Sequence, residues 1–306
     1  MSKPKNKTSA ALLLLVSLLS WAGLSYSEGQ RSRYPKFSLK LTGGGRYSAI
    51  GDMNKHLDSI NHLPNVTGNI EKVNNWSGDL QVELRIGISQ KFGLGFVTSP
   101  FFQRSNQSSL FIYGGEMLIP EIPKIDEQLI FAPKIKAAMP LGLNLYYSAY
   151  SSSKFNILIH SGIEWHTGKI TENQTYYLFY STGETYYGNR YWSVENKFCL
   201  GFQGGLGLEY SITDDLALVM EMQGRYVRMS NFKGTMKSVN NSYQYEESGT
   251  LYYFRTTRGE TGPWYTELEV RERQPDIGIL PIKDAREAIL NLSGFSLRIG
   301  VRIRLL

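Results

Sequence analysis

Apolar and polar residues alternate with a period of two along much of this chain. Between residues 79 and 91, for example, Leu80, Val82 and Leu84 alternate with Gln81 and Glu83. Because successive side chains of a β-strand point to opposite faces, the pattern predicts strands with one apolar and one polar face. Eight segments show it, at about 36–50, 77–91, 93–103, 132–150, 154–169, 196–212, 215–231 and 292–305.

The connections between these segments alternate strictly between very short and long. The short ones are Phe92-Gly93, Ser151 to Ser153 and Thr213-Asp214, and each long one spans twenty or more residues. Tight periplasmic turns and long extracellular loops are typical of transmembrane barrels. The predicted fold class is therefore all-β, an up-and-down antiparallel transmembrane β-barrel of about eight strands. The alternatives are a soluble barrel with its apolar face inward, or ten strands if a loop hairpin joins the wall.

The first 27 residues have the composition of a secretory signal peptide. Three lysines precede an apolar run over residues 10–19, and Ser25 to Ser27 form a small-x-small cleavage signal. We expect removal of residues 1–27 by way of Sec export, which leaves one barrel domain over residues 28–306. The remaining chain has 30 basic and 27 acidic residues, so its charge does not indicate a nucleic-acid partner.

In a barrel, the polar faces of the strands point into the lumen, and eight strands enclose a space that side chains can fill. Charges in that space must pair, because a buried unpaired charge is very costly. Nine basic and four acidic residues would leave an excess of five, so either an ion-paired plug or a narrow anion-favouring pore fits. The predicted lumen charges are Lys40, Arg46, Glu83, Arg85, Glu164, Glu209, Glu221, Arg225, Arg298, Arg302 and Arg304, together with Lys134 and Lys136 unless these two lie above the membrane.

Catalytic and metal-binding arrangements are not indicated. His160 and His166 share a strand face but lie six residues apart, about 20 Å along the strand, too far to bind one ion. Ser161, the nearest hydroxyl in sequence, lies on the opposite face from both. The single cysteine, Cys199, cannot form an internal disulfide or a CxxC metal site. We therefore expect no metal, no cofactor and no enzyme activity.

The long loops contain further structure. Hairpins are predicted over residues 175–192 around Gly183 and over residues 242–256 around Ser248-Gly249. Their ten tyrosines would form either an aromatic belt at the outer membrane interface or a binding surface: Tyr176, Tyr177, Tyr180, Tyr186, Tyr187, Tyr191, Tyr243, Tyr245, Tyr252 and Tyr253.

A capping-box pattern precedes the last strand. Asp284 and Glu287 have the spacing of an N-cap and its N3 partner, which predicts a short helical turn over residues 285–290.

The final segment alternates to the end of the sequence. Its apolar face comprises Leu297, Ile299, Val301, Ile303 and Leu305, and Leu306 follows out of phase. Together with the leader and the eight segments, this strand resembles those of the small outer-membrane β-barrels of Gram-negative bacteria, which include the OmpA membrane domain, OmpX and OmpW. The resemblance implies that the last strand is read by the barrel assembly machinery, with Leu306 in place of the usual terminal aromatic residue.

The resemblance also implies location in the outer membrane, in contact with its lipid and lipopolysaccharide. The expected role is structural or surface interaction, with an extracellular ligand bound by the loops. A narrow pore or transporter for small anionic or hydrophobic solutes is the main alternative, and a lipid-modifying enzyme is the third.

Overall fold

The structure, a computed structural model, describes residues 36–104, 107–115, 125–241, 243–257, 262–276 and 281–305. The predicted signal peptide and Leu306 lie outside these ranges. Within them the chain forms one helix, α1 (Asp52–Asn61), and sixteen strands. The strands are β1 (Lys36–Gly51), β2 (Val66–Gly68), β3 (Trp76–Gly87), β4 (Phe92–Arg104), β5 (Ser108–Gly115), β6 (Ile125–Phe131), β7 (Lys134–Ser151), β8 (Phe155–Tyr180), β9 (Thr185–Ser211), β10 (Leu216–Tyr226), β11 (Arg228–Met229), β12 (Lys233–Asn240), β13 (Gln244–Thr257), β14 (Trp264–Arg271), β15 (Lys283–Glu287) and β16 (Leu290–Arg304).

Eight strands form a closed antiparallel ring. In ring order these are β1, β3, β4, β7, β8, β9, β10 and β16, and β16 pairs back onto β1. Ring order follows chain order, so the barrel is up-and-down. Each predicted segment corresponds to one of these strands, which confirms the predicted fold class. No helix in the described part of the chain is long and apolar enough to span a membrane.

The outer surface of the ring carries an apolar band between two aromatic girdles. The lower girdle, at the short-turn end, contains the ring pairs Phe92–Tyr147 and Phe155–Tyr210, with centroids 5.4 and 5.0 Å apart. The upper girdle contains Tyr47, Trp76 and Phe295 in mutual contact, and Trp165 beside Phe198. From Phe155 to Trp165, β8 rises about 25 Å at a typical strand tilt, which is the height of a transmembrane apolar band. The soluble alternative is therefore wrong.

The ten loop tyrosines do not belong to this upper girdle. Tyr176 lies eleven residues beyond Trp165 on β8, and the other nine are also in the parts of the chain beyond the apolar band. The belt interpretation of these tyrosines is wrong, since the girdle is built from residues of the wall strands themselves.

Register shifts on three neighbouring strands mark the upper edge of the band. They lie between Val97 and Ser99 on β4, between Ala138 and Leu141 on β7, and after His166 on β8. Pro140 lies within the shift on β7, where a ladder donor is not required.

The shift on β7 exchanges the two faces of that strand. Asn144 and Tyr146 are buried in the lumen below it, whereas Ile135 is buried above it. Lys134 and Lys136 are consequently exposed on the outer surface. The prediction that these two lysines line the lumen is wrong, because it assumed one uninterrupted alternation.

Above the band the wall continues as an open sheet. The order of its strands is β14-β13-β12-β9-β8-β6-β5-β2, and the predicted hairpin around Gly183 is the top of β8 and β9. Helix α1 packs Met53, Leu57 and Ile60 into an apolar cluster enclosed by this sheet. No element was predicted from the sequence in the long loop after β1, although the spacing of these three residues is helical.

Two expectations for the last long loop are wrong. Ser248-Gly249 is not a turn, because β13 runs straight through it and pairs with β12, and the backbone N–H of Asn240 donates to the carbonyl oxygen of Tyr243. A Cβ at Gly249 would overlap the carbonyl of Arg271, so glycine there allows a close approach of strands.

The helical turn predicted over residues 285–290 is likewise wrong. Residues 283–287 form β15, in which Arg286 and Glu287 pair with Tyr253 and Tyr252 of β13. The Glu287 carboxylate accepts a hydrogen bond from the backbone N–H of Asn231 instead of capping a helix, at 3.0 Å. Pairing with the edge of β13 therefore outweighs the local capping pattern.

Closure between β1 and β16 depends on a small residue at Gly44. A Cβ there would overlap the carbonyl oxygen of Leu297, whereas a Cβ at the adjacent Gly45 would meet no atom within 4 Å. We expect Gly44→Ala to lower the free energy of unfolding by about 1–3 kcal/mol, as overpacking does. Urea titration of the protein refolded in lipid vesicles measures this. Gly45→Ala is the control, and an equal loss in both variants would contradict the prediction.

Candidate functional site

The lumen at membrane level contains the predicted charges. Eight of the eleven are at most 8% exposed, namely Lys40, Arg46, Glu83, Arg85, Glu164, Glu209, Glu221 and Arg298. Arg225, Arg302 and Arg304 are half-buried. Because inward residues of the eight strands face one another across a narrow space, their charges come within contact distance.

Lys40 occupies the centre of the network. Its ammonium contacts the carboxylates of both Glu83 and Glu221, and it lies 3.3 Å from the hydroxyl of Tyr146. That hydroxyl donates to Glu83 at 2.8 Å. Lys40 and Glu83 face each other on the paired strands β1 and β3, so their contact follows directly from the register.

Two arginines extend the network toward the extracellular end. Arg298 lies 3.4 Å from Glu221 and 3.0 Å from Asp79, and Arg46 contacts the other oxygen of Asp79. Asp79 is absent from the predicted lumen residues, although it shares the inward parity of Gln81 and Glu83.

Two further arginines extend the network toward the short-turn end. Arg85 lies 3.5 Å from Glu83 and 2.6 Å from Glu209, and Arg302 lies 3.2 Å from the second oxygen of Glu209. These contacts connect β3, β9 and β16.

A third group connects β8 and β10. Glu164 pairs with Arg225 at 2.6 Å and with Nε2 of His166 at 2.9 Å. Gln223 joins this group to the rest, since its amide contacts Arg298 and lies 3.5 Å from Glu164. The network therefore crosses the lumen without interruption.

The charge excess in the lumen is smaller than the sequence suggested. Lys134 and Lys136 are outside it and Asp79 is inside it, so the excess of five basic residues falls to two. The basic residues are Lys40, Arg46, Arg85, Arg225, Arg298, Arg302 and Arg304, and the acidic residues are Asp79, Glu83, Glu164, Glu209 and Glu221. Most charges are mutually compensated, and a dense set of ion pairs fills the centre of the barrel.

At the short-turn end the network opens into a shallow vestibule. The volume of the vestibule is about 190 Å³. Among the charged residues that line it, Glu209 is acidic and the others are basic. The basic lining residues are Lys36, Arg85, Lys91, Arg302 and Arg304. At this rim the basic residues of the lumen are open to solutes.

The two strand histidines do not form a catalytic arrangement with a serine or an aspartate in the described residues. His166 bonds to Glu164, and the ring of His160 lies 5.2 Å from that of Tyr146. Ser161 faces outward, as its parity predicted. Within the described ranges, no three His, Cys, Asp or Glu side chains are placed to hold a metal ion.

A second group of buried polar residues lies in the apolar cluster that α1 forms with the sheet above the apolar band, which we call the extracellular cluster. His56 on α1 is 2% exposed, and its Nδ1 lies 2.7 Å from the carbonyl oxygen of Thr266 on β14. Burial lowers the pKa of His56 to about 4. Glu172 on β8 is fully buried beside its cross-strand neighbour Trp192.

Burial also governs the charge of Glu172. It raises the pKa of this carboxyl to about 7, although Arg190 and Trp192 oppose the shift. Arg190 is itself engaged by Glu267 at 3.0 Å and Glu269 at 3.8 Å. Near pH 6, then, the cluster holds His56 and Glu172 in their neutral forms.

The C-terminal strand presents its apolar face to the outside of the barrel. Leu297, Ile299 and Ile303 are exposed there, whereas Val301 and Leu305 are half-buried. The backbone N–H of Leu305 donates to the carbonyl of Phe37 at 2.8 Å, next to the first residue of β1. Recognition of this strand by the assembly machinery stays a prediction.

No protein-family model and no curated protein matches the sequence. Among solved structures, the chain is similar to CarO of Acinetobacter baumannii, with 11% identity, a TM-score of 0.29, and coverage of 90% of this chain and 100% of CarO. It is also similar to outer membrane protein AlkL in DMPC bilayers, with 11% identity, a TM-score of 0.31, and coverage of 91% and 94%. The strand pairing and outward apolar faces of the chain itself carry the assignment: it is a small transmembrane β-barrel of eight antiparallel strands.

Proposed function

We propose that this protein is a closed outer-membrane barrel that displays a folded extracellular sheet for structural or surface interactions. The observation that carries the proposal is the filled lumen, in which Lys40 and Glu83 are completely buried at the centre. A conducting pore needs a continuous path for water and ions. The ion pairs and amides of the network occupy that path instead.

The extracellular cluster supports the same conclusion. Helix α1 follows β1 directly and lies across the top of the wall, where Asp52 receives a bidentate bond from Arg286 at 2.6 and 2.8 Å. Ile50, Leu57 and Trp192 are fully buried in the cluster beneath the sheet. A second closure of the lumen, made of packed apolar side chains, therefore lies above the first.

The outer face of the extracellular hairpin suits a contact role. Tyr177 and Tyr187 pair across β8 and β9 with ring centroids 5.3 Å apart, and Phe179 lies 6.4 Å from Tyr177. Phe179, Tyr187 and Tyr191 are 37–42% exposed. Rigid aromatic side chains on a sheet lose little conformational entropy when they bind a partner, so this face is where we expect a ligand of the loops.

Conductance in planar lipid bilayers tests the closed barrel. We expect the refolded wild-type protein to insert without producing large, stable current steps, since ions cannot displace the buried network. Heat-modifiable gel mobility of the same sample establishes that the barrel is folded. Large ohmic channels from folded protein would refute the proposal.

The basic vestibule favours a second candidate, a narrow pore for small anions. Five basic residues and one acidic residue line this entrance. Small, strongly anion-selective currents in the same bilayers would support this candidate over the closed barrel. Fractionation of the cell envelope tests the outer-membrane location separately.

A further inference from the structure

A basic patch lies on the outside of the wall just above the upper girdle. Its six members are exposed basic residues of β7, β8, β9, β11 and β12. They are Lys134 and Lys136 on β7, Lys169 on β8, Lys197 on β9, Arg228 on β11 and Lys233 on β12. The basic patch includes the two lysines that the register shift on β7 turns outward. None of these six residues has a role in the lumen.

The strand register brings the centre of the basic patch together. Lys136 is paired directly with Lys169, Lys169 with Glu195, and Glu195 with Lys233. Four outward side chains at one level thus comprise three lysines and one glutamate. The side chains of directly paired residues are about 5 Å apart at Cβ, and like charges in such a pair repel.

The height of the basic patch above the membrane is set by the upper girdle. Lys169 lies four residues beyond Trp165 on β8, which corresponds to about 13 Å along the strand and about 10 Å along the membrane normal. The interfacial zone of a bilayer extends roughly 5–8 Å beyond the hydrocarbon on each side. The lysines therefore lie at the outer edge of the lipid headgroups.

The basic patch covers one side of the barrel. At the same height on the opposite side, the described outward residues of β1 and β16 are uncharged, namely Ala49, Asn291 and Ser293. Glu195 is the one acidic residue at the centre of the basic patch, and it is ion-paired with Lys197 at 3.2 Å. A localised positive surface at headgroup height complements a lipid that carries several phosphates.

We propose that the basic patch binds the phosphate groups of lipopolysaccharide in the outer leaflet. The inference rests on the proposed outer-membrane location and names a lipid partner for it. One phosphate would accept hydrogen bonds from the ammonium groups of Lys136 and Lys169, and Lys233 would bind a second phosphate of the same glycolipid. Bound glycolipid would hold the barrel in a fixed orientation on one side.

Native mass spectrometry of the full chain in detergent with EDTA tests the inference. The probes are lipid A with two phosphates, the same lipid without phosphates, and a phosphatidylglycerol. We expect lipid A with phosphates to bind most tightly. In Lys136→Gln/Lys169→Gln its affinity should fall about thirtyfold, on the basis of roughly 1 kcal/mol for each lysine near an anionic surface.

The matched control is Lys72→Gln/Lys154→Gln, which removes the same charge from two exposed lysines that lie outside both the basic patch and the vestibule. This control should bind lipid A as the wild type does, and gel mobility checks the folding of both variants. Unchanged binding in Lys136→Gln/Lys169→Gln, or equal binding of any other probe, would overturn the inference. Neither result would affect the closed barrel, which the conductance measurement tests independently.

Discussion

Lys40→Met should lower the free energy of unfolding by about 3–5 kcal/mol. The change removes the cation that Glu83 and Glu221 share, and it leaves both carboxylates in a lumen that water does not reach. Loss of one partner from a buried ion pair has this cost because the remaining charge stays desolvated. Methionine retains most of the volume of lysine, so packing changes little. Urea titration in lipid vesicles measures the effect.

A matched substitution separates burial from charge. Lys197 also pairs with a glutamate, Glu195, but this side chain is 84% exposed. Lys197→Met should therefore cost less than about 1 kcal/mol, as exposed ion pairs contribute little.

The double variant Lys40→Met/Glu83→Gln provides a second control. Removing the charge of one of the two carboxylates that Lys40 contacts should recover part of the stability lost in Lys40→Met. If Lys40→Met and Lys197→Met had equal effects, the lumen would have to be hydrated, and the closed barrel would fail with it.

Glu172→Gln should stabilise the protein progressively as the pH rises from about 4.5 to about 7. Burial raises the pKa of Glu172 to about 7. In this interval the unfolded chain has already lost the proton that the folded state retains, so the wild type loses stability with rising pH. The full difference between wild type and Glu172→Gln is on the order of 3 kcal/mol above pH 7.

His56 has the opposite dependence. Its pKa is lowered to about 4, so the unfolded chain binds a proton below about pH 6.5 that the folded state rejects. Stability is lost as the pH falls from about 6.5 to about 4. His56→Asn, which retains a donor near Nδ1 for the carbonyl of Thr266, should remove this loss.

These pH effects are measured as differences between variant and wild type in urea titrations at pH 4.5, 6 and 8. Taking differences removes the contribution of every other titrating group. A constant difference between Glu172→Gln and the wild type at all three pH values would contradict the assigned environment.

Several features of the site could have been read from the sequence but were not. Asp79 has the inward parity of its strand, and the apolar residues of α1 have helical spacing. In both cases the informative residues adjoin β1 or β3, whose regular alternation of apolar and polar residues is the more conspicuous pattern. The pairing of His166 with Glu164 follows from the same parity, since the two residues lie on one face two positions apart.

Other features could not have been read from it. The exchange of faces in β7 depends on one extra residue at Pro140. The proline does indicate an interruption of the ladder, but it does not show that one extra residue exchanges the faces. The strand at residues 283–287 contains a helix-capping pattern, which local propensity alone would favour. Only its neighbour β13 makes the extended conformation more stable.

The sequence by itself determined the number of wall strands, their order and which face of each is apolar. These properties follow from local periodicity, because the lipid outside and the crowded lumen inside impose a period of two on every strand. Tertiary structure alone decided which charges meet, where the faces exchange, and how the long loops enclose His56 and Glu172. Those outcomes depend on register and contacts between residues far apart in the chain, and no local pattern encodes them.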